Sequence, residues 1–281
     1  CRSMWNWVTL QSQNLVSVGT NLKYYIEQGG AYLDITPIRS TVTLTDPFDT
    51  TSGSAVVLVT DLAHGALEGD FVTFSGGTVT AAYQINTGSE IAVPFTGWSA
   101  GTWSSGTWGF GGITDAPIRL WSQANFGEDL FFTYRGGELF YWSASSGVST
   151  RAVYVSSLAG ASDVPVIANK AFVSDIFRFA FCFGANDLGT SVLDPMLIRW
   201  SNQEDVANWT PAATNQAGSL RLSRGSEIIT ALQARQEILV WTNSAVYGVQ
   251  YLGAPEVWGA QLLGDNITIA SPNAAVYAGN T

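Results

Sequence analysis

Along the chain, apolar positions either alternate with polar ones or fill short strand-length runs, and Gly, Asn, Asp and Ser punctuate the intervals. Neither pattern sustains a helical period bounded by caps, so few long helices are expected. The stretch from Ile228 to Tyr251 shows the style. Ile228 to Ala231, Glu237 to Thr242 and Ala245 to Tyr251 are each of strand length, with Ala234-Arg235 and Asn243-Ser244 supplying the turns. The chain carries 11 Trp, 10 Tyr and 14 Phe, residue types that suit a pleated, half-buried surface. Many short strands at close spacing predict an all-β fold: a sandwich, a barrel or a propeller.

Internal repetition selects among these. Leu15 to Ile26 and Ile238 to Val249 both read as apolar strand, tight polar turn, aromatic strand. A third copy runs from Leu130 to Trp142 with Gly136-Gly137 at its turn. A looser fourth copy goes out along Phe177 to Phe183, turns through a long loop from Gly184 to Pro195 and returns along Met196 to Trp200. Hairpin centres near positions 136, 190 and 243 give spacings of about 54 and about 53 residues, the size of a four-stranded propeller blade. The first hairpin, near position 21, precedes the next by about 115 residues, one repeat plus a surplus of roughly 60.

The surplus has a visible source. From Ser40 to Ile118 there is no Lys or Arg, while Asp46, Asp49, Asp61, Glu68, Asp70, Glu90 and Asp115 are present. Strand-like runs at Ala55 to Thr60 and Gly69 to Gly76, followed by a Gly, Ser, Thr and Trp-rich run from Gly97 to Gly112, predict a small acidic β subdomain inserted in one blade. The expected layout is a partial blade at 1–45, the insert at 46–112 and further blades at 113–281, with Ile267 to Tyr277 starting the next one. The chain begins at Cys1 and stops in mid-pattern at Thr281, so it reads as a fragment of a longer protein.

Charge narrows the possible partners. There are 12 Lys and Arg against 22 Asp and Glu, a formal net charge of -10, and only 12% of residues are charged. Lys23 and Lys170 are the only lysines and the arginines are scattered singly. Gripping nucleic acid needs clustered cations that displace counterions, so broad phosphate binding is excluded. No apolar run approaches the length of a membrane span.

The search for chemistry yields little. Cys1 and Cys182 form neither a disulfide framework nor a ligand spacing, and His64 is the only histidine. Glu128-Asp129 and Glu204-Asp205 are carboxylate neighbours, but adjacent residues on a strand or turn point apart, so they read as solvated turn residues. His64, in His64-Gly65-Ala66-Leu67-Glu68-Gly69-Asp70, reads as a hydrogen-bonding turn residue rather than a general base. Trp98, Trp103 and Trp108 recur every fifth position and read as cover for a small core rather than a sugar platform. Hydrolase, phosphate-loop, zinc-protease and EF-hand signatures are absent from the sequence. No catalytic, cofactor-binding or metal-binding residue is assigned, and no cofactor is expected.

Trp200 to Pro211 looks somewhat like the Asp-box turns of sialidase-type propellers, with one residue too many between Ser201 and Trp209 and without the expected Gly. A structural role is expected: the Trp packs between strands and the polar side chains bond the turn backbone. Together with Arg199-Trp200-Ser201, Gly218 to Leu222, Gln236 to Val240, Tyr251-Leu252-Gly253, Trp258-Gly259, His64-Gly65-Ala66 and Gly69 to Gly76, this turn resembles structural proteins of tailed bacteriophages. The family it is most similar to is the tail nozzle or hub of short-tailed phages, tail tubular protein B and packaged-DNA stabilisation proteins, and the resemblance covers most of the chain.

That resemblance implies a noncatalytic virion protein, assembled in the host cytoplasm: a β-propeller with an inserted platform, forming rings of six below adaptor and portal and contacting tail fibre proteins. Double-stranded DNA would pass through the lumen without specific binding. An acidic lumen would repel phosphate and let DNA slide. A carbohydrate-binding or glycan-cleaving propeller of a receptor-binding tail part is the alternative, and a baseplate or stopper component of a long-tailed phage is a third possibility.

Overall fold

A computed structural model describes residues 1–66, 70–76, 78–85 and 120–277. It is all-β. The first sheet is formed by β1 (Ser3–Val8), β2 (Asn14–Gly19), β3 (Tyr24–Gln28) and β4 (Ala31–Asp34). The next segment carries β5 (Ile38–Leu44), β6 (Phe48–Thr50), β7 (Val57–Val59), β8 (Val72–Ser75) and β9 (Val79–Gln84). Three further sheets follow. They are β10 (Trp121–Phe126), β11 (Asp129–Tyr134), β12 (Leu139–Trp142) and β13 (Val153–Tyr154); β14 (Ala168–Ser174), β15 (Phe179–Asn186), β16 (Leu193–Trp200) and β17 (Gly218–Arg221); and β18 (Ile228–Gln233), β19 (Ile238–Thr242), β20 (Ala245–Gly253) and β21 (Val257–Asp265).

Each of these four sheets is an antiparallel meander with its strands in sequence order. The hairpins behind the repeat spacing occupy the same place in every sheet: each joins the second strand to the third. The first strands adjoin in succession, β1 to β10, β10 to β14 and β14 to β18.

The sheets stack face to face, and the burial pattern records which are interior. β2 alternates, with Leu15, Ser17 and Gly19 buried, because only one face is covered. β15 is buried at every position. Phe179, Phe181 and Phe183 point into the core shared with the fourth sheet, while Ala180, Cys182 and Ala185 point into the core shared with the second. The small residues on that side make room for Phe131 and Trp209. Between the first two sheets, Tyr24 stacks on Phe132 with ring centroids 4.4 Å apart, and Trp7 meets Trp142 edge-on. Gly19 permits this approach, since a Cβ there would lie 2.5 Å from Trp121 Cδ1.

Four expectations are corrected. The first sheet is complete rather than partial, because β4 pairs along β3 before the chain leaves at Ile35. The insert begins at Ile38, not at residue 46: β5 pairs with β9, whose other edge carries β8, while β6 and β7 form a separate hairpin. Its small core is Leu44, Ala81 and Tyr83 with Val42, Val59 and Val72 packed on them. Finally, Ile267 to Tyr277 does not start another sheet, and no strand is assigned there. Instead Ile267 N donates to Ser244 O, Thr268 Oγ1 donates to Thr242 O, and Thr230 Oγ1 donates to Pro272 O, so the segment folds back across the fourth sheet. The expected long loop from Gly184 to Pro195 is also shorter, since Ala185 and Asn186 pair with Asp194 and Leu193 beyond a register shift.

Candidate functional site

Residues of all four first strands line a shared cleft of about 290 Å³. Ser3 and Trp5 of β1, Gln123 of β10, Lys170 of β14 and Thr230 of β18 lie on its walls, and Pro272 and Asn273 cross it. A narrower recess beside it reaches Arg135, whose Nη2 is 3.5 Å from Glu227 Oε2. Among the described residues no carboxylate lines either space.

Lys170 is the chemically distinctive member. Its Nζ donates to Thr230 Oγ1 at 2.7 Å, and Thr230 Oγ1 passes its own hydrogen to Pro272 O at 2.8 Å. Among the described residues no carboxylate lies within ion-pair distance of Nζ, and burial brings the ammonium pKa down from 10.5 to about 8. Gln123 Oε1 and Ser3 Oγ are buried without a hydrogen-bond partner. The indole of Trp5, 41% exposed, is fixed by donation from its Nε1 to Asn125 Oδ1 at 2.6 Å. The cleft therefore carries a cation and a positioned aromatic surface, with an unpaired acceptor and a hydroxyl buried in its walls. Sequence reasoning missed it because its parts come from four segments far apart; the one local signal is a lone lysine between the buried Ala168 and Ala171.

The carboxylate neighbours serve different partners. Glu128 Oε2 accepts from Leu10 N at 2.8 Å, tying the second sheet to the first. Asp129 accepts from Tyr141 Oη, Ser143 Oγ and Ala144 N. Asp205 Oδ1 caps its own turn through Ala207 N, and Glu204 is exposed with φ 57°. Neither pair converges on a common point. His64 is exposed; its Nδ1 accepts from Ala66 N at 2.9 Å and its ring stacks on Tyr83. Cys1 is exposed and Cys182 is buried, and neither is in a disulfide. Trp98, Trp103, Trp108, Glu68, Glu90 and Asp115 lie outside the described residues.

The turn from Trp200 to Pro211 is a structural joint. Ser201 Oγ accepts from Ala180 N and donates to Asn202 O. Trp209, fully buried, donates from Nε1 to Val206 O and stacks on Phe131 of the second sheet at 6.4 Å. Arg199 is buried beneath it. Its Nη2 donates to Asp163 Oδ2 at 2.6 Å, Asp163 O at 2.8 Å and Trp209 O at 3.2 Å, and its Nη1 to Asn186 O at 3.3 Å.

A second ionic joint sits where the first sheet, the insert and the second sheet meet. Asp34 accepts from Lys23 Nζ at 3.1 Å, from both Arg151 guanidinium nitrogens and from Gln84 of β9. Burial alone would raise its pKa, but bonds from Thr36 and the two cations outweigh that and hold it below the usual carboxylate value. Among the described residues no group of His, Cys, Asp and Glu is placed to hold a metal ion, and no helix is long and apolar enough to cross a membrane. No protein-family model matches the chain, and no curated protein matches it.

Proposed function

We propose that this chain is a noncatalytic structural subunit of a short phage tail, a nozzle or hub in which the four sheets are blades of a propeller and the segment from Ile38 is an inserted platform. The observation that carries the reading is the use to which its motif residues are put. Arg199 and Trp209, which bear the resemblance to tail proteins, are consumed in joining the third sheet to the second and its connecting segment, while Ser201 fastens the turn to β15. The repeated meander order and the succession of adjoining first strands support the propeller. Six copies in a ring below adaptor and portal would enclose the DNA path.

The acidic surface has a definite place in this reading. Among the described residues the cleft between the first strands carries Lys170 and no carboxylate, so this reading puts the DNA path elsewhere. It is the lumen between copies, lined in part by the insert, where Asp46 and Asp49 are exposed. With a net charge of -10 per copy, such a lumen repels phosphate and weakens any grip on the duplex.

Labelling tests the assignment. Cys1 is exposed and Cys182 is buried, so a maleimide-gold cluster reacts at Cys1 of this chain, and particles carrying Cys1→Ser give the background to subtract. Averaged electron micrographs are expected to show a ring of label around the tail axis beneath the portal. Label at fibre tips, on the capsid shell, or absent from particles would overturn the proposal.

A further inference from the structure

We propose that the cleft between the first strands is a binding site for a sugar acid, a hydroxylated ring carrying one carboxylate. This goes beyond the tail reading and does not depend on it. Each wall supplies one element of the recognition. Lys170 Nζ spends one of its three hydrogens on Thr230 and has no acidic partner among the described residues, so a ligand carboxylate completes it with a charge-assisted bond. Gln123 Oε1 is a buried acceptor that lacks a donor, and a turn of its amide toward the cleft lets a ring hydroxyl supply one. Ser3 Oγ, also buried and unpartnered, can on changing its rotamer donate to or accept from a second hydroxyl. The half-exposed indole of Trp5, locked by Asn125, presents a flat apolar surface for the C–H face of a pyranose.

Alternatives fit less well. A bare inorganic anion satisfies Lys170 and leaves Gln123 Oε1, a carbonyl, facing an acceptor. A neutral sugar satisfies Gln123 and Trp5 and leaves the ammonium buried without a counter-charge. An apolar ligand leaves Gln123 Oε1 and Ser3 Oγ unpaired and Lys170 without a counter-charge. The volume of about 290 Å³ admits one ring at a time, and a single-ring ligand of this size binds in the millimolar range. The recognised unit is the same whether it arrives as a free monosaccharide or as a residue of an acidic polysaccharide.

The two lysines make the test direct. Protein labelled with 13C at lysine Cε gives two resonances, from Lys23 and Lys170, assigned with Lys170→Met. D-Glucuronate is expected to shift the Lys170 resonance alone and to raise its titration midpoint, with D-glucose binding at least tenfold more weakly. Trp5→Leu is expected to weaken glucuronate at least fivefold while Lys170 still titrates as before in the free protein. Lys170→Met should abolish saturation transfer from the protein to glucuronate. Oligoglucuronate and monomer binding alike place the site on the single unit. No shift at millimolar glucuronate, equal binding of glucose, or phosphate shifting Lys170 as strongly with no effect of Trp5→Leu would each overturn the proposal.

Discussion

The joint beneath Trp209 offers a quantitative test of what holds the third sheet to the second. Arg199 has a side-chain exposure of 2% and Asp163 one of 26%, so the guanidinium is buried and its carboxylate partner stands at the edge of solvent. Breaking a buried ion pair costs about 3–5 kcal/mol when the surviving charge is stranded. In Asp163→Ala the guanidinium keeps the carbonyls of Asp163, Asn186 and Trp209, and water can approach from the side that Asp163 occupied. The expected loss is therefore about 2–3 kcal/mol, below the full figure. Arg199→Leu removes the charge but leaves three buried carbonyls and a partly buried carboxylate without their donor. Each unsatisfied group costs about 1–3 kcal/mol, partly offset by the added apolar surface, so its loss should be larger, about 4 kcal/mol. The double variant should cost little more than Arg199→Leu alone, because both changes strike one network. Urea titrations followed by tryptophan fluorescence give the three values. Hydrogen exchange at Ser162 and Trp209, whose amides bridge Ala207 and Ser162, localises the change. An Asp163→Ala effect within about 0.5 kcal/mol, or Arg199→Leu milder than Asp163→Ala, would show that the hydrophobic stack on Phe131 holds the joint and the ion pair does not.

Three further outcomes are expected. Lys170→Met should stabilise the protein at neutral pH by up to ~3 kcal/mol, the equivalent of a lysine pKa lowered from 10.5 to about 8. Between those values the unfolded chain binds more protons, so wild-type stability should rise with pH relative to the variant; parallel urea midpoints at pH 7 and pH 10 would contradict this. Asp34 has a lowered pKa, so its stabilisation is full above the ordinary carboxylate pKa of about 3.9 and is lost as pH falls through the lower folded value. Asp34→Asn should abolish that acid-range slope, and limited proteolysis should release the insert sooner; an unchanged slope would remove Asp34 from the joint. Gly19→Ala places a Cβ 2.5 Å from Trp121 Cδ1 and should cost about 1–3 kcal/mol, with a changed Trp121 environment by fluorescence; a neutral effect would mean the first two sheets can slide apart.

The second and third strands of every sheet were legible because both halves of each hairpin alternate or run apolar around a turn of Gly, Asn or Ser. Phe177 and Arg178 were over-extended into a strand, since the positive φ of Arg178, 58°, places them in the preceding turn and no local pattern announces it. The outer strands were harder. β13 is Val153–Tyr154 and β17 is Gly218–Arg221, too short or too polar to stand out, and they exist because an inner neighbour presents free backbone groups. The insert boundary was misplaced for a related reason: β5 alternates like any strand, and its partner β9 lies on the far side of three other strands. The cleft was invisible because Lys170, Gln123 and Trp5 each stand on a different strand, far apart in the chain, and none makes a local motif. The turn at Trp200 to Pro211 was readable as a joint, since an aromatic flanked by turn-forming polar residues has few other uses.

The equivalence of the second hairpins gives the molecule two unlike ends. In a four-stranded meander the turn between second and third strands and the exit of the fourth lie at the same end, so the insert leaves from the end that carries all four of those turns. Successive sheets touch at both ends: here Trp121 Nε1 donates to Thr20 O, Gly136 N to Ala168 O and Arg135 reaches Glu227, and at the other Leu10 N and Trp7 Nε1 donate to Glu128. The opposite end carries the remaining hairpin turns and no insertion. A body of this kind is vectorial: copies set side by side in register all point the same way, and a passage built from them has an entrance distinguishable from its exit before any partner binds.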